Sequence, residues 1–460
     1  MDNLFKIRER GSTVRAEVMG GLTTFFAMAY IIFVNPSMLC ADLGGGSYPA
    51  MPAENMIGVA VATCLAAVIG STLTAFLANA PFAQAPGMGL NAFFTYTVCL
   101  TMGFTWQQAL TIVFLSGLVF LTVCLSPARP MIIAAVPPCL KLAIGAGIGL
   151  FITLIGLKNS GLVNFASGVP ALGSLTGARL LCVVGLIVTI LLMVLKVKGA
   201  IFLGIIATAV LGLIPSLCGW HVFGEFKATG DIYNILSIGE ISKVAFKFDF
   251  GGLFANGVLP VVTAVLSFAL VDCFDTVGTL IGTAGAAGLL KEDGSMEGGD
   301  KALLADAIAT VTGSALGTST TTTFVESAAG IAEGARTGLS SLIVAGMFAL
   351  SLLITPIFGV LAENSWFMYG ITSPALIIVG SLMVKSVGKI AWDNMEEAIP
   401  CFLTIAMMPF AYSISEGIAF GFISYVLIKL VRGKAKDVPA VMYIITLLFL
   451  AKYLLMELGL

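Results

Sequence analysis

The chain of 460 residues has little charge: Asp, Glu, Lys and Arg make up 10% of it, whereas hydrophobic residues make up 58%. A soluble domain carries roughly a quarter of its residues as charged ones, so this composition excludes a soluble globular protein. The mean hydropathy of +1.04 is typical of an all-α polytopic membrane protein. The net charge of −2 gives no indication of a nucleic-acid partner.

Histidine is almost absent, and the cysteines lack the spacing of a metal site. The one histidine, His221, lies in a predicted loop, which argues against a His-based metal site and His-driven catalysis. The nine cysteines are scattered through apolar runs, as small buried residues are. We therefore expect no cofactor, no metal and no enzymatic activity. The first residues are basic and have no cleavable apolar core, which fits a protein of the inner (plasma) membrane.

Apolar runs near the roughly 20 residues that cross a bilayer recur along the chain. They form two sets of seven, separated by a more polar loop at 218–254, and an extra run at 438–457 either spans the membrane or lies along its surface. The runs are predicted at 17–36, 56–79, 88–102, 106–125, 131–156, 177–196, 199–217, 256–284, 301–316, 325–335, 338–361, 373–386, 397–412 and 414–432.

Basic residues are distributed unevenly between the loops of the two sides. With the N-terminus inside, sixteen Lys and Arg residues fall in cytosolic loops and five in outer ones. Cytosolic loops of membrane proteins carry this excess, so the N-terminus is predicted to be cytoplasmic and the loop 218–254 extracytoplasmic. The five on the predicted outer side are Lys158, Arg179, Lys227, Lys243 and Lys247.

The third segment of each set is interrupted. In the first set it opens with PFAQAPGMGLN (81–91), whose prolines and glycines prevent a continuous helix. In the second it reads TGSALGTSTTTTFVESAAGIAEGARTG (312–338), where threonines favour an extended backbone before an alanine-rich helix. Sets with an odd number of spans sit in opposite orientations, so the pattern predicts an inverted repeat. Paired broken segments in such a repeat indicate a transporter site near the membrane midplane.

Three carboxylates are predicted deep in the membrane. Asp272 and Asp275 lie three residues apart on one face of the eighth segment, and Glu326 follows the threonine run. A charge at that depth costs about 3 kcal/mol on insertion scales, so it marks a candidate functional site. The structural alternative is a carboxylate that caps a broken helix or binds backbone amides. The functional interpretation is binding of substrate or of a proton.

Uncharged groups at similar predicted depth complete the candidate site. Asn91 offers both a donor and an acceptor, which suits a neutral heterocycle. The other polar candidates are Thr23, Thr24, Thr279 and Ser327. Four aromatic side chains are candidates for stacking on a ring, although core packing is their commoner role: Phe25, Phe26, Tyr30 and Phe324.

Other charges are predicted near the ends of spans. There a charge costs little, so an interfacial or gating role is the most that we assign to them. They are Asp300, Asp306, Glu333, Arg336, Glu363, Glu396, Glu397 and Glu416.

Four stretches together resemble the adenine–guanine–hypoxanthine permease branch of the nucleobase–cation symporters, which is related to the xanthine and uracil permeases. They are GGLTTFFAMAYIIFVNP (20–36), APGMGLNAFF (85–94), VDCFDTVGTLIG (271–282) and ADAIATVTGSALGTSTTTTFVESAAGIAEGARTGL (305–339). The resemblance implies about fourteen spans in a 7+7 inverted repeat, with a short strand and a half-helix in segments three and ten. It also implies a core domain (17–125 and 256–361) and a gate domain (131–217 and 373–432). Homodimers are common among the relatives.

The resemblance further implies a proton-coupled importer of purine nucleobases that works by elevator-type alternating access. Carried over by motif, Glu326, Asp275 and Asn91 hold the substrate, and Asp272, Asp275 and Glu326 are the candidates for proton coupling. The remaining substrate-binding candidates are Thr279, Phe324, Ser327 and Thr24. The uracil and xanthine carriers tend to have Glu and His where this chain has Asp275 and Thr279, so proton roles do not transfer directly from those relatives.

Two other functions remain open at this stage. One is a carrier of the same fold for uracil, xanthine or a small anion such as sulfate, and the other is a channel. Acidic residues repel anions, which disfavours an anion carrier, and a channel needs no buried titratable acid. The choice among adenine, guanine and hypoxanthine, and that between proton and sodium coupling, are also left open.

Overall fold

The computed structural model describes residues 2–40, 51–126, 136–164, 169–218, 220, 222–226, 237–255, 257–287 and 298–457. Several predicted features fall outside these residues: His221, part of the loop 218–254, and the basic residues Arg129, Lys227 and Lys291. The described chain is predominantly helical, with four strands of two or three residues each.

The first half of the chain contains nine α-helices and three strands among its described residues. They are α1 (Asp2–Phe5), α2 (Val14–Met28), α3 (Ile31–Leu39), α4 (Met56–Leu73), β1 (Gln84–Pro86), α5 (Met88–Ala92), α6 (Trp106–Leu125), α7 (Pro138–Asn159), β2 (Val163–Asn164), β3 (Ala171–Leu172), α8 (Ala178–Val194) and α9 (Ala200–Leu217). Two π-helical stretches, Thr74–Ala78 and Phe93–Thr101, extend α4 and α5.

The second half contributes nine more helices and one strand within the same described ranges. They are α10 (Val258–Ala287), α11 (Gly299–Leu316), β4 (Thr321–Thr323), α12 (Ser327–Ala332), α13 (Gly338–Ser351), α14 (Ile357–Glu363), α15 (Ser365–Met383), α16 (Met395–Phe410), α17 (Ile414–Val431) and α18 (Ala440–Glu457).

Seven helical stretches of the described chain are long and apolar enough to cross a bilayer, or eight if a pair bent by 59° at α13 and α14 counts as one. This confirms an integral membrane protein with several spans. The predicted count of fourteen, and the role of the run 438–457, stay predictions. The seven are Val14–Leu39, Ala53–Ala78, Trp106–Leu125, Pro138–Asn159, Val258–Leu280, Ser365–Lys389 and Ile414–Val431.

The first span is interrupted near its middle. The sequence predicts one continuous run at 17–36, but α2 ends at Met28 and α3 begins at Ile31. Tyr30 lies in this break and is buried. No glycine or proline occupies the break itself, so local sequence does not indicate it.

The two interrupted segments meet in an antiparallel pair of strands. Gln84 pairs with Thr323, Ala85 with Thr322 and Pro86 with Thr321. One further backbone hydrogen bond closes each end, from Gly87 N to Thr320 O and from Phe324 N to Ala83 O, both at 2.9 Å. The strands are fully buried, and this pairing satisfies backbone groups that neither segment could satisfy as a broken helix in lipid.

The N-terminal segment ties the same two interrupted segments together at one end. Asn79, which follows the first π-helix, takes a left-handed backbone conformation with φ of 48°. Its Nδ2 donates to Phe5 O and its Oδ1 accepts from Gly338 N, each at 2.9 Å. Phe5 and Ile7 are buried in a small apolar cluster. Nearby, the buried carboxylate of Glu17 accepts from the backbone N of Arg336 at 2.8 Å.

Helix packing forms two groups. In one, α13 packs against α2 and α4, and α11 packs against α4 and α6. In the other, α7 packs against α15 and α16, and α8 packs against α9 and α15. Where the groups meet, the ring of Phe26 on α2 lies 6.3 Å from that of Phe202 on α9, and Lys198 forms an ion pair with Glu333.

An ion-pair cluster joins the start of α16 to the end of α17. The carboxylate of Glu396 accepts from Lys434 and Lys429 and from Arg432 Nε at 2.8 to 2.9 Å. These hydrogen bonds from Lys434, Lys429 and Arg432 lower the pKa of Glu396 to about 2. The sequence gives no sign of this cluster because Glu396 lies 33 to 38 residues before its basic partners.

Candidate functional site

Glu326 lies where the threonine strand turns into helix. β4 ends at Thr323, and Glu326 is the residue before α12, which confirms the predicted extended piece followed by a short helix. Its Oε1 accepts a hydrogen bond of 2.6 Å from the hydroxyl of Tyr30. Tyr30 is buried, whereas Glu326 keeps part of its surface exposed. The break between α2 and α3 thus positions a donor for the carboxylate, which the sequence interpretation of Tyr30 as a stacking ring missed.

The two aspartates of α10 have different surroundings although they lie one turn apart. Asp272 is 1% exposed, and its Oδ2 accepts from Thr310 Oγ1 at 2.9 Å. Asp275 is partly exposed, as is Thr279 one turn further along the helix. Asp272 therefore faces α11, while Asp275 and Thr279 are each partly exposed.

Asn91 is the most unusual polar residue of the first interrupted segment. It lies in α5 directly after β1 and is completely buried. Its Nδ2 and Oδ1 both lack a hydrogen-bond partner among the described residues. A buried amide without partners costs roughly 1–3 kcal/mol, and a ligand that offers one acceptor and one donor would supply the missing partners.

Three other predicted binding residues are engaged in packing within the protein. Ser327 Oγ accepts from Ala83 N at 3.0 Å and so joins α12 to the segment that leads into β1. Phe324 is 5% exposed and belongs to the hydrophobic core. Thr24 is buried against α12, where a Cβ added to Gly330 would lie 2.2 Å from its Oγ1. These three side chains therefore pack within the protein around the candidate site.

The remaining stacking candidates, Phe25 and Phe26, pack against other rings. Phe25 lies edge-on to Phe348, with ring centroids 5.2 Å apart, and is 5% exposed. Phe26 is 39% exposed and faces Phe202 of the second helix group. Phe25 therefore follows the core-packing alternative for aromatic residues, whereas Phe26 is exposed and lies at the contact between the two helix groups.

Asp306 corrects a prediction. The sequence placed it near the end of a span, but α11 begins at Gly299, so Asp306 lies two turns inside the helix and is 0% exposed. Its Oδ1 accepts from Thr323 Oγ1 at 3.1 Å and from Gln84 Nε2 at 3.3 Å. Asp306 thus bonds both members of one strand pair, Gln84 and Thr323.

A signal for Asp306 was present in the sequence. The pattern Asp-x-x-x-Thr occurs at Asp272–Thr276 in α10 and again at Asp306–Thr310 in α11. Each aspartate bonds the threonine of the other helix, with Thr276 Oγ1 donating to Asp306 Oδ2 at 2.8 Å. The repeat marks Asp306 and Thr310 as a pair like Asp272 and Thr276, although only the tertiary fold shows that the two helices pack side by side.

The site as a whole is acidic and rich in neutral hydrogen-bonding groups. Among the described residues, no ion pair involves Glu326, Asp272, Asp275 or Asp306, and no group of three or more His, Cys, Asp or Glu has the arrangement of a metal site. Such a site suits a neutral ligand with N–H groups to donate and ring nitrogens or a carbonyl to accept.

Comparison with known proteins connects this chain to membrane transport. A model of the permease family matches residues 15–420. The chain is 43% identical over 461 residues to the guanine/hypoxanthine permease PbuG of Bacillus subtilis, covering 99% of this chain and 100% of that protein. It is 36% identical over 459 residues to the adenine permease AdeP of Escherichia coli, covering 99% of this chain and 96% of that protein.

Two solved structures share the fold at low sequence identity. The transmembrane domain of the cyanobacterial bicarbonate transporter BicA aligns with a TM-score of 0.60 and 15% identity over 88% of this chain and 97% of that one. The murine anion transporter Solute Carrier 26 family member A9, in its inward-facing state, aligns with a TM-score of 0.62 and 12% identity over 91% and 69%. The family match and these relatives show that this chain is a membrane permease and not an enzyme. It belongs to the permease family that includes the guanine/hypoxanthine and adenine permeases.

Proposed function

We propose that this chain imports purine nucleobases, namely adenine, guanine or hypoxanthine, across the cell membrane. Relatives that match along nearly the whole chain are named as guanine/hypoxanthine or adenine permeases, which supports the substrate class. The names differ in the purine, so the preferred base is left to measurement.

One observation carries this proposal: the two interrupted segments bring an unpaired buried amide and a partly exposed carboxylate to the ends of one strand pair. A purine has N–H donors on the edge of each of its two rings, next to ring-nitrogen or carbonyl acceptors. Glu326 accepts from a ring N–H, Asp275 accepts from the other edge, and the amide of Asn91 donates and accepts. Thr279 adds a hydroxyl one turn beyond Asp275.

Coupling to protons and an elevator-type movement complete the mechanism that we propose. The candidates for the proton are Asp272, Asp275 and Glu326, because carboxylates buried in the membrane are costly unless neutralised. The two helix groups support a division into a core domain (17–125 and 256–361) and a gate domain (131–217 and 373–432). The core would carry the substrate along the gate between the two sides of the membrane.

The arrangement in the membrane is part of the same proposal. The strand in each third segment supports a 7+7 inverted repeat of about fourteen spans. The excess of basic residues in alternate loops supports a cytoplasmic N-terminus. We also propose a homodimer that forms through the gate domain, because homodimers are common in the family that the sequence resembles.

An anion carrier is the alternative that the fold itself raises, since both solved structures are described as transporters of bicarbonate or other anions. Anion sites favour lysine, arginine or free backbone N–H groups. In this chain the candidate site presents Glu326 and Asp275 instead, and both repel an anion. The charge of the site therefore favours a neutral base over sulfate or bicarbonate.

Uptake of labelled bases tests the proposal. Cells that lack their own carriers, and that express this chain, are given adenine, guanine, hypoxanthine, uracil or sulfate, each with and without a protonophore. We expect uptake of at least one purine, abolished by the protonophore. Purine uptake that is indifferent to the protonophore would overturn the proton coupling alone. Uptake of uracil or sulfate without any purine would overturn the substrate class.

A pair of variants assigns that uptake to the site. Glu326→Ala is expected to abolish purine uptake while leaving the amount of protein in the membrane unchanged. Glu9→Ala is the matched control, because Glu9 is exposed and pairs only with Lys6 among the described residues. Uptake retained by Glu326→Ala would remove Glu326 from the site.

A further inference from the structure

A symmetric cluster of two aspartates and two threonines joins α10 to α11. We call it the Asp–Thr clasp, and it consists of Asp272, Thr276, Asp306 and Thr310. Thr310 Oγ1 lies 2.9 Å from Asp272 Oδ2, and Thr276 Oγ1 lies 2.8 Å from Asp306 Oδ2. On each helix the threonine lies one turn after the aspartate. Because the aspartate of each helix contacts the threonine of the other, the two helices are antiparallel.

The clasp is continuous with the strand pair of the substrate site. Thr276 Oγ1 also lies 2.8 Å from Thr322 Oγ1, and Thr310 Oγ1 lies 2.9 Å from Thr321 O. Asp306 bonds Gln84 and Thr323, the first pair of the strands. A change in the clasp is therefore transmitted to both strands through hydrogen bonds.

The clasp holds two acids with only neutral partners. Asp272 and Asp306 are 1% and 0% exposed, and the described groups that bond them are threonine hydroxyls, the threonine backbone and the amide of Gln84. Two carboxylates that share one buried site cannot both be ionised without a large penalty. At least one proton is therefore needed to hold the clasp in the arrangement observed.

Two buried oxygen atoms, Asp272 Oδ1 and Gln84 Oε1, lack a hydrogen-bond donor in the described chain. Asp272 Oδ1 has no hydrogen-bond partner among the described residues, although Oδ2 of the same carboxyl has one. Gln84 bonds Asp306 through Nε2, while its Oε1 is buried without a partner in the described chain. A donor is missing at both oxygens, and a proton on the clasp supplies one.

The other titratable groups around the clasp are few. On α10 they are Asp275, which is partly exposed, and Cys273. On α7, Lys141 lies with its Nζ 5.3 Å from the ring centroid of Phe274. Beyond these, α4 carries Cys64, α6 carries Cys124 and Glu326 precedes α12.

We propose that the Asp–Thr clasp is where the coupling proton binds, separate from Glu326 and Asp275, which contact the substrate. This inference rests on the proposed function and adds Asp306 to the residues that perform it. A proton from water on one side forms an O–H bond at Asp272 Oδ1, and the same bond breaks when the proton returns to water on the other side. With both carboxylates ionised, their repulsion separates α10 from α11 and displaces the strands and Asp275 from the arrangement that binds the base.

Sodium fits the same cluster poorly. A hard metal cation is held by about six or more oxygen ligands that have lone pairs to spare. In the clasp, the hydroxyls of Thr276 and Thr310 are engaged with the carboxylates and with the threonine strand, and Asp272 Oδ1 is the one side-chain oxygen of the four residues that lacks a partner in the described chain.

Exchange and accumulation separate a coupling site from a binding site. Proteoliposomes with the full-length chain are assayed for exchange of external labelled purine against the same purine inside, which needs no net proton movement. They are also assayed for accumulation driven by an inward proton gradient. Asp306→Asn and Asp272→Asn keep a neutral group of the same shape at each position. We expect both variants to lose gradient-driven accumulation while still exchanging, whereas Asp275→Asn loses both and the exposed Asp437→Asn loses neither.

Each outcome decides between explanations. Gradient-driven accumulation that survives in both clasp variants would overturn the inference. Loss of exchange in both single variants and in the double variant D272N/D306N would show that the clasp is only structural, because a pair of neutral amides should restore the uncharged arrangement. Accumulation by the wild-type chain that follows a sodium gradient would also overturn it. Absence of purine exchange in the wild-type chain would instead overturn the proposed function.

Discussion

The hydroxyl of Tyr30 donates a 2.6 Å hydrogen bond to Glu326 Oε1, although 296 residues separate them in the chain. The contact joins the break in the first span to the break in the second interrupted segment. A carboxylate with one oxygen fixed in this way presents its remaining acceptor positions in a defined direction. Orientation of a single carboxylate is what a planar, hydrogen-bonding base requires.

Removal of the Tyr30 hydroxyl should weaken substrate binding. A hydrogen bond to a charged group contributes about 1.5–3 kcal/mol, so Tyr30→Phe should raise KM for the purine roughly tenfold or more through a misoriented Glu326. The measurement is initial uptake rate against purine concentration. Tyr443→Phe serves as the control, since the Tyr443 hydroxyl donates to the backbone oxygen of Ala435 and not to a residue of the candidate site. An unchanged KM in Tyr30→Phe would show that Glu326 needs no orienting partner.

The unpaired amide of Asn91 leads to opposite effects on stability and on binding. Replacing a buried, unsatisfied amide by an apolar group of similar shape is nearly neutral or stabilising, so Asn91→Leu should keep or raise the unfolding temperature of the ligand-free protein. The same change removes a donor and an acceptor from the purine, so the stabilisation by added purine should disappear.

Asn35 provides the comparison for this experiment. It is equally buried, but its Nδ2 donates to Thr63 Oγ1 at 2.6 Å and to Thr318 Oγ1 at 2.9 Å. Asn35→Leu leaves both hydroxyls without that donor and should destabilise the protein by about 1–3 kcal/mol. If Asn91→Leu destabilises as much as Asn35→Leu and still responds to purine, then Asn91 is a structural residue.

Close packing of α2 against α12 should tolerate no side chain at Gly330. An added Cβ would lie 2.2 Å from Thr24 Oγ1 and 2.4 Å from Gly20 O. Gly330→Ala should therefore shift α12 and Glu326, costing about 1–3 kcal/mol of stability and lowering uptake. Gly346→Ala in α13 is the matched control, because nothing lies within 4 Å of its added Cβ. Thermal unfolding and uptake of the two variants, measured side by side, check this.

The Glu396 cluster predicts a stability effect in acid. The pKa of Glu396 is lowered to about 2 in the folded protein, below the ordinary value of 4.5, by hydrogen bonds from Lys434, Lys429 and Arg432. The ionised carboxylate therefore contributes its full stabilisation above pH 4.5, and this contribution is lost as the pH falls toward 2. The difference in unfolding temperature between wild type and Glu396→Gln should be constant from pH 7 to pH 5 and shrink below that. A difference that does not change with pH would mean that the carboxylate charge contributes nothing.

Those features of the site that depend on local sequence were predictable. Prolines and glycines at 81–91 and the threonine run at 318–323 indicated two breaks, and the structure has a strand at each. The place of Glu326 at the start of a short helix followed from the same pattern. Asp272 and Asp275 were correctly assigned to one helix, although their different exposure depends on which neighbouring helix each faces.

Features that depend on packing between distant segments were not predictable. Asp306 looked interfacial because it lies close to the start of an apolar run, and only the antiparallel contact of α10 with α11 makes it a buried partner of Thr276. Likewise, Tyr30 carries no signal of its own, since its hydroxyl has a role only once Glu326 is brought to it. Hydrogen-bond partners of this kind are determined by the tertiary fold, whereas the breaks at 81–91 and 318–323 are determined by the residues within them.

The side chain of Asn79 has a consequence for how the site can open. It holds the carbonyl of Phe5 and the N–H of Gly338, while the strands hold the other ends of the same two segments. Any movement that pulled these segments apart would have to break the strand bonds and the Asn79 bonds at once. In the elevator-type movement that we propose, the two segments would therefore move together as one rigid unit, and sliding would occur along contacts between the two helix groups, such as that between Phe26 and Phe202.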